Sequence, residues 1–266
     1  MKYISRSVFI FPLLMSLWCS RAFASEKSSA VVDFINFYAL ALHSIGFSEE
    51  DVHSLEPVAG SLFCFLIILT IGLFYRRSFR KNEEVFPEEK ISLRFFIEIM
   101  IDVPYGLAKD FCGKDFKSFL ALLCGLFVFI LVSNLSGLIP GFPPPTENMN
   151  TNLAMGISVF LVYNYAGIKE HKIKYIKQFM GPILLMAPLF FVIEIFSHLA
   201  RPFSLSLRLM GNIFGDHLIL TVFTGLTYII FPGLLLFFGL LVACVQSFVF
   251  TLLSGVYISM AISHDH

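Results

Sequence analysis

The chain has 266 residues, of which 57% are apolar and 14% charged, whereas a soluble domain carries about 45–50% apolar and about 25% charged residues. This balance excludes an ordinary soluble globular fold and makes lipid the expected solvent. Basic and acidic residues number 19 each, so no net positive charge is present to serve a nucleic-acid surface.

At the N-terminus, Lys2 and Arg6 precede an apolar run from Val8 to Trp18, and Ala22-Phe23-Ala24 offers a small-x-small cleavage site before Ser25. A secretory leader over residues 1–24 is expected, because the run is short for a membrane span and Pro12 interrupts it. Residues 25–56 then read as a periplasmic N-terminal segment and residues 57–266 as a single membrane domain. The five cysteines form neither a disulfide framework nor a CxxC metal spacing.

Five hydrophobic tracts follow, at about 57–75, 118–140, 152–167, 181–224 and 230–263. They predict an all-α polytopic membrane protein with five transmembrane helices. Between the first two tracts, Ile91 to Phe111 mixes apolar residues with Arg94, Glu98, Asp102, Lys109 and Asp110. This segment is expected to be an interfacial amphipathic helix kinked at Pro104. The fourth tract, at ~1.5 Å per helical residue, would reach ~60 Å against a hydrocarbon thickness of ~30 Å. It must break or lie strongly inclined, with Pro182, Pro188 and Pro202 as break points. Phe231-Pro232-Gly233 is a turn signal that folds the last tract back, so 181–263 is expected to form a long inclined helical hairpin.

Lysine and arginine set the orientation. Thirteen of the 19 lie in two connecting regions, Arg76 to Lys117 and Lys169 to Lys177. Two spans separate these regions, so both face one side, which the positive-inside rule makes cytoplasmic. The acidic stretch at Glu49, Glu50 and Asp51 and the loop Pro143-Pro144-Pro145-Thr146-Glu147 then fall outside, as does the turn at Pro232. The N-terminus is predicted to be periplasmic and the C-terminus cytoplasmic, in a bacterial inner membrane.

With Lys2, Arg6 and Arg21 in the expected leader and Lys27 at the start of the mature chain, Arg201 and Arg208 are the two basic residues left over. A charged side chain at the centre of a membrane helix costs about 2.5–3.5 kcal/mol on the mildest scale, which marks Arg208 as a functional candidate. Its guanidinium keeps its proton, so it can act as a fixed charge but not as a proton carrier. At ~100° per residue, Ser204, Gly211, Asn212 and Gly215 lie within ~60° of Arg208, on a face nearly free of bulk that another helix can approach closely. His217 lies roughly 180° around the same helix, a residue type able to take and release protons, with Asp216 beside it. Glu194 stands ~21 Å before Arg208 and within ~40° of its face. On the final tract Gln246, Ser247, Thr251, Ser254 and Tyr257 supply uncharged polar groups that as a set could line a watery path.

The run from Arg201 through Arg208 and Gly211-Asn212-Ile213-Phe214-Gly215-Asp216-His217 resembles the signature of subunit a of F-type ATP synthases. Similar blocks are Val245-Gln246-Ser247-Phe248-Val249-Phe250-Thr251-Leu252-Leu253 and Asn134-Leu135-Ser136-Gly137-Leu138-Ile139-Pro140 with Pro144-Pro145-Thr146 and Asn150. They occur in the family's order and cover most of the chain from Asn134 onward. The resemblance implies a proton-translocating subunit with two half-channels against a rotating ring of c subunits. Its partners would be that ring, the b subunits of the peripheral stalk and the rest of the synthase, in membrane lipid. Arg208 matches the essential arginine that meets the ring's carboxylate. Asn212, His217 and Gln246 match positions of the outer half-channel, with Asp216 adjoining, and Glu194 and Ser197 match positions near the inner one. One position departs: seven residues before Gln246, where some members carry an ionisable partner for the His217 position, stands Gly239. Proton uptake would then depend on His217 with Asp216 or water.

The rival class is a secondary transporter or channel subunit that binds an anionic substrate at Arg208, but no internal repeat supports it. An enzyme is not expected, since HExxH, GxSxG and P-loop patterns are absent from the sequence. No cofactor or metal is predicted, and the terminal His264-Asp265-His266 reads as a solvated tail.

Overall fold

The computed structural model describes residues 36–81, 93–113, 116–139, 141–172, 187–226 and 230–262. The expected leader, Pro182 and the terminal histidines lie outside these. Among the described residues the fold is all-helical: α1 (Phe37–Ile45), α2 (Glu49–Lys81), α3 (Leu93–Cys112), α4 (Phe116–Ser136), a 3-10 turn (Pro145–Glu147), α5 (Met149–His171), α6 (Ala187–Leu226) and α7 (Ile230–Ile262).

Four helices contain stretches long and apolar enough to cross a membrane: Ser54–Phe74, Phe116–Ser136, Leu189–Leu220 and Gly233–Ile262. The tract at 152–167, predicted as a further span, lies in α5. That helix has 23 residues but falls outside the four, because Asn150, Asn152, Asn164, Lys169 and Glu170 dilute its apolar character. Leu62, Phe65, Leu69, Leu73, Phe196 and Phe203, on spanning stretches, are exposed. Such contiguous outward apolar surface suits lipid rather than water.

Three boundaries differ from the sequence reading. The helix that carries the first tract begins at Glu49 rather than near 57 and runs through Pro57. Ser48 precedes it, its hydroxyl donating to Asp51 Oδ2 at 2.6 Å, and acidic residues in a first turn complement the helix dipole. Second, Pro202 does not break the fourth tract, for α6 runs 40 residues without interruption. A proline deprives the carbonyl four residues earlier of its donor; here that carbonyl, on His198, receives the Tyr163 hydroxyl at 3.5 Å. Third, Phe231, Pro232 and Gly233 belong to the opening turn of α7, where a proline costs little because the first N–H groups have no partner within the helix.

Contacts divide the chain into two compact units. The first comprises Met1–Ile67, Ile130–Asn148 and Met210–Gln246. Within it Asn36 caps α1, its Oδ1 accepting from the backbone N–H of Tyr38 at 3.0 Å and of Ala39 at 3.3 Å, while its amide donates to Glu56. Tyr38 and Phe63 both pack on Phe142, at centroid distances of 5.6 and 5.5 Å. Burial pushes the Tyr38 hydroxyl well above its ordinary pKa and keeps it neutral.

The second unit comprises Ile68–Phe129, Met149–Leu209 and Ser247–His266. Here α3 buries Ile97, Met100, Pro104 and Ala108 along one stripe and exposes Asp102, Lys109 and Asp110, the amphipathic division its sequence predicts. Its Phe111 ring stands 3.3 Å from where a Cβ on Gly255 would be. Along α5, Asn152, Met155, Gly156, Val159 and Tyr163 form the buried stripe. A Cβ at Gly156 would stand 2.8 Å from the Pro202 carbonyl oxygen and 2.7 Å from Ser206 Oγ. Small residues of this kind let backbones approach where lipid supplies no hydrophobic drive for helix association.

Candidate functional site

Residues singled out in the sequence fall into two groups of contacts, one in each unit. In the first unit, the 3-10 turn at Pro145–Glu147 is built onto the end of α4. Thr146 donates its hydroxyl to Asn134 Oδ1 at 2.8 Å, and both side chains are buried. A Cβ at Gly137 would fall 2.7 Å from Pro144 Cγ, so only glycine admits the proline there. The Glu147 N–H donates to the Pro144 carbonyl at 3.0 Å. Held in this way, Glu147 places Oε2 3.2 Å from Nδ1 of His217 on α6. Nearby in sequence, Asn212 Nδ2 donates to Gln246 Oε1 of α7 at 2.8 Å. Gln246 is buried, Asn212 is exposed, and Asp216 and His217 are each half-buried. The structure therefore joins three of the predicted outer-path residues to partners: His217 to Glu147, and Asn212 to Gln246.

In the second unit, Glu194 and His198 pair one helical turn apart. His198 Nδ1 lies 3.2 Å from Glu194 Oε1 and 3.1 Å from the Glu194 carbonyl oxygen. Three residues further on, the Arg201 guanidinium sits over two aromatic rings, 5.9 Å from the Tyr163 centroid and 5.5 Å from that of Tyr257. This is cation–π distance. Ser206 donates to the backbone carbonyl of Pro202 at 2.7 Å, and its oxygen lies 3.0 Å from the Asn152 carbonyl. Ser197 and Arg208 are both exposed.

Two members of the polar set on the final helix hydrogen-bond within that helix. Thr251 and Ser254 are buried, and each donates its hydroxyl to the carbonyl four residues back, Ser247 at 2.9 Å and Phe250 at 2.8 Å. These two are small packing residues whose hydrogen bonds are spent on their own helix.

Sequence reading left three functional candidates unassigned. Glu147 figured only as part of an external loop, and His198 was not singled out although its i,i+4 spacing from Glu194 carried the signal. Arg201 stood out by charge alone; its partners Tyr163 and Tyr257 lie too far away in sequence for any spacing rule to connect.

Among the described residues, an all-helical architecture with four helices long and apolar enough to cross a membrane, histidines beside carboxylates and two arginines on the longest helix defines a multi-pass membrane protein. The family model described as ATP synthase A chain matches residues 28–259. ATP synthase subunit a of Bdellovibrio bacteriovorus is 48% identical over 216 residues, 80% of this chain and 94% of the relative. The Sorangium cellulosum subunit a is 40% identical over 219 residues, covering 82% and 86%, and that of Citrifermentans bemidjiense 37% over 233 residues, covering 88% and 97%. The chain belongs to the subunit a family of F-type ATP synthases. It is a non-catalytic membrane subunit.

Proposed function

We propose that the chain carries protons across the membrane as subunit a of the Fo sector and, against a ring of c subunits, couples that flow to rotation. The observation that carries this reading is Arg208. Its permanently charged guanidinium is exposed in a helix apolar enough to span a membrane. On the same helix face by residue spacing, Gly211 and Gly215 have nothing within 4 Å of a built Cβ. An open, low-relief surface around a fixed positive charge suits a moving carboxylate on a neighbouring helix.

The physics then runs in a cycle. A proton delivered through an outer half-channel, comprising His217, Asp216, Asn212 and Gln246, neutralises a ring carboxylate, which can then face lipid; a bare carboxylate there is too costly. Near Arg208 the opposite charge favours the ionised form, and the proton leaves by an inner half-channel at Glu194 and Ser197. Alternation of the two states turns the ring, while Arg208 blocks direct passage between the half-channels.

In this reading α5 is the fifth span, since 23 residues at ~1.5 Å each reach ~34 Å. α3 lies in the membrane interface, and α6 with α7 forms the inclined hairpin. The leader is removed, the N-terminus is periplasmic and the C-terminus cytoplasmic in a bacterial inner membrane. The b subunits of the peripheral stalk hold the subunit against the ring. The test is Arg208→Ala in the assembled synthase. Coupled ATP synthesis should disappear while the complex still assembles, and near-normal ATP-driven proton pumping would refute the proposal.

A further inference from the structure

We infer that Glu147 is the proton-exchanging partner of His217, so that the outer path begins at a carboxylate supplied by the loop between α4 and α5. This rests on the reading of the chain as a proton-translocating subunit.

Three observations within the first unit support it. Glu147 Oε2 and His217 Nδ1 stand 3.2 Å apart, and the two side chains keep 34% and 28% of their surface exposed. The two groups are within direct proton-transfer range, and neither is enclosed by the rest of the chain. Next, the carboxylate is held in place by buried structure rather than left on a free loop. The Thr146 to Asn134 hydrogen bond, the Pro144 carbonyl and the Gly137 to Pro144 contact fix the turn on which it sits. A surface ion pair formed by chance would need no such support. Finally, the position seven residues before Gln246 is Gly239, so α7 itself brings no ionisable side chain from that position.

The transfer balances in protons. A proton taken from external water by the Glu147 carboxylate passes to Nδ1 of His217 and makes the ring an imidazolium. A half-turn of the imidazolium carries Nδ1–H away from Glu147, and the same proton is released inward from Nδ1. Glu147 is left as a carboxylate, His217 is again the neutral Nε2–H tautomer, and the reverse half-turn returns Nδ1 to Glu147. One proton has moved inward and no other bond has changed.

The test measures passive proton conduction through Fo in membranes stripped of the ATPase head, with assembly monitored by subunit recovery. Glu147→Gln is the discriminating variant, since the amide preserves size and can still hydrogen-bond the imidazole but cannot exchange a proton. Conduction should fall roughly a hundredfold, the lower end of the range typical of lost acid–base function, and Glu147→Asp should recover much of it. Adding His217→Gln to Glu147→Gln should cause little further loss, as expected for two members of one relay. Wild-type conduction in Glu147→Gln would overturn the inference. If that variant fails to assemble, the exchange Glu147→His with His217→Glu decides: restored conduction supports the pair, and an assembled but non-conducting complex overturns it. The outcomes separate from those of the broader reading. Normal conduction in Glu147→Gln alongside an uncoupled Arg208→Ala removes only the pair, whereas normal coupling in Arg208→Ala removes the function itself.

Discussion

The two units each contain a glutamate and histidine at the same separation, 3.2 Å, but they make the pair in opposite ways. Glu194 and His198 are neighbours on one helical turn, so the α-helix alone brings them together, and an isolated pair of this spacing contributes only about 0.3–0.5 kcal/mol. Glu147 and His217 come from a loop turn and a distant helix. Their meeting depends on the Thr146 to Asn134 hydrogen bond and the Gly137 to Pro144 contact. The first pair is a property of sequence spacing, and the second is a property of the tertiary fold. A local pair survives modest disturbance of packing, while an assembled pair reports directly on it.

Substitutions that disturb packing in one unit at a time sharpen this contrast. The largest effect is expected from Gly156→Val in the second unit. Its side chain would enter the space of the Pro202 carbonyl and Ser206, and overpacking of this kind costs about 1–3 kcal/mol or more. Loss of subunit a from the purified complex is the measurement. Even where α5 is displaced, the Glu194 to His198 contact should persist because one helix holds it; loss of that contact in a structure of the variant would break the comparison.

A smaller effect is predicted for Thr146→Val in the first unit. Removing the hydroxyl leaves Asn134 Oδ1 without its 2.8 Å donor, a loss of about 1–3 kcal/mol for a buried group. The turn should loosen and proton conduction fall severalfold with assembly retained. Unchanged conduction would mean that Glu147 does not need the cradle.

The smallest change is expected for Tyr163→Phe. It removes the long 3.5 Å hydrogen bond to the His198 carbonyl but keeps the ring beneath Arg201, so stability of the complex in detergent should drop by about 1 kcal/mol or less. A drop beyond ~2 kcal/mol would show that the carbonyl freed by Pro202 weighs more than a typical exposed helix end.

Much of this architecture was legible in the sequence. Tracts of membrane-spanning length located α2, α4, α6 and α7, and charge against apolar periodicity located α3, because each signal is local and periodic. Arg208 was legible because a lone charge in an apolar tract is costly wherever its neighbours stand. Proline was read less well: Pro202 and Pro57 carry the sequence mark of a break, yet helices run through both. What decides such a case is whether a distant group takes the freed carbonyl, as Tyr163 does. Nor could the partner of His217 be read from spacing. Asp216, adjacent in the chain, was the evident candidate, whereas the carboxylate that the fold places 3.2 Å from Nδ1 comes from 70 residues away.

α6 carries two arginines, and their surroundings set them apart. Arg201 rests against the rings of Tyr163 and Tyr257, whose π faces offset its charge without an anion. Glu194, two helix turns earlier, pairs with His198 instead. Had Arg201 been neutralised by that carboxylate, the helix would hold a locked pair of permanent charges where it now holds an acid and a base able to trade a proton. Two tyrosines, on α5 and α7, thus hold one fixed charge of this helix while its glutamate and histidine remain paired with each other.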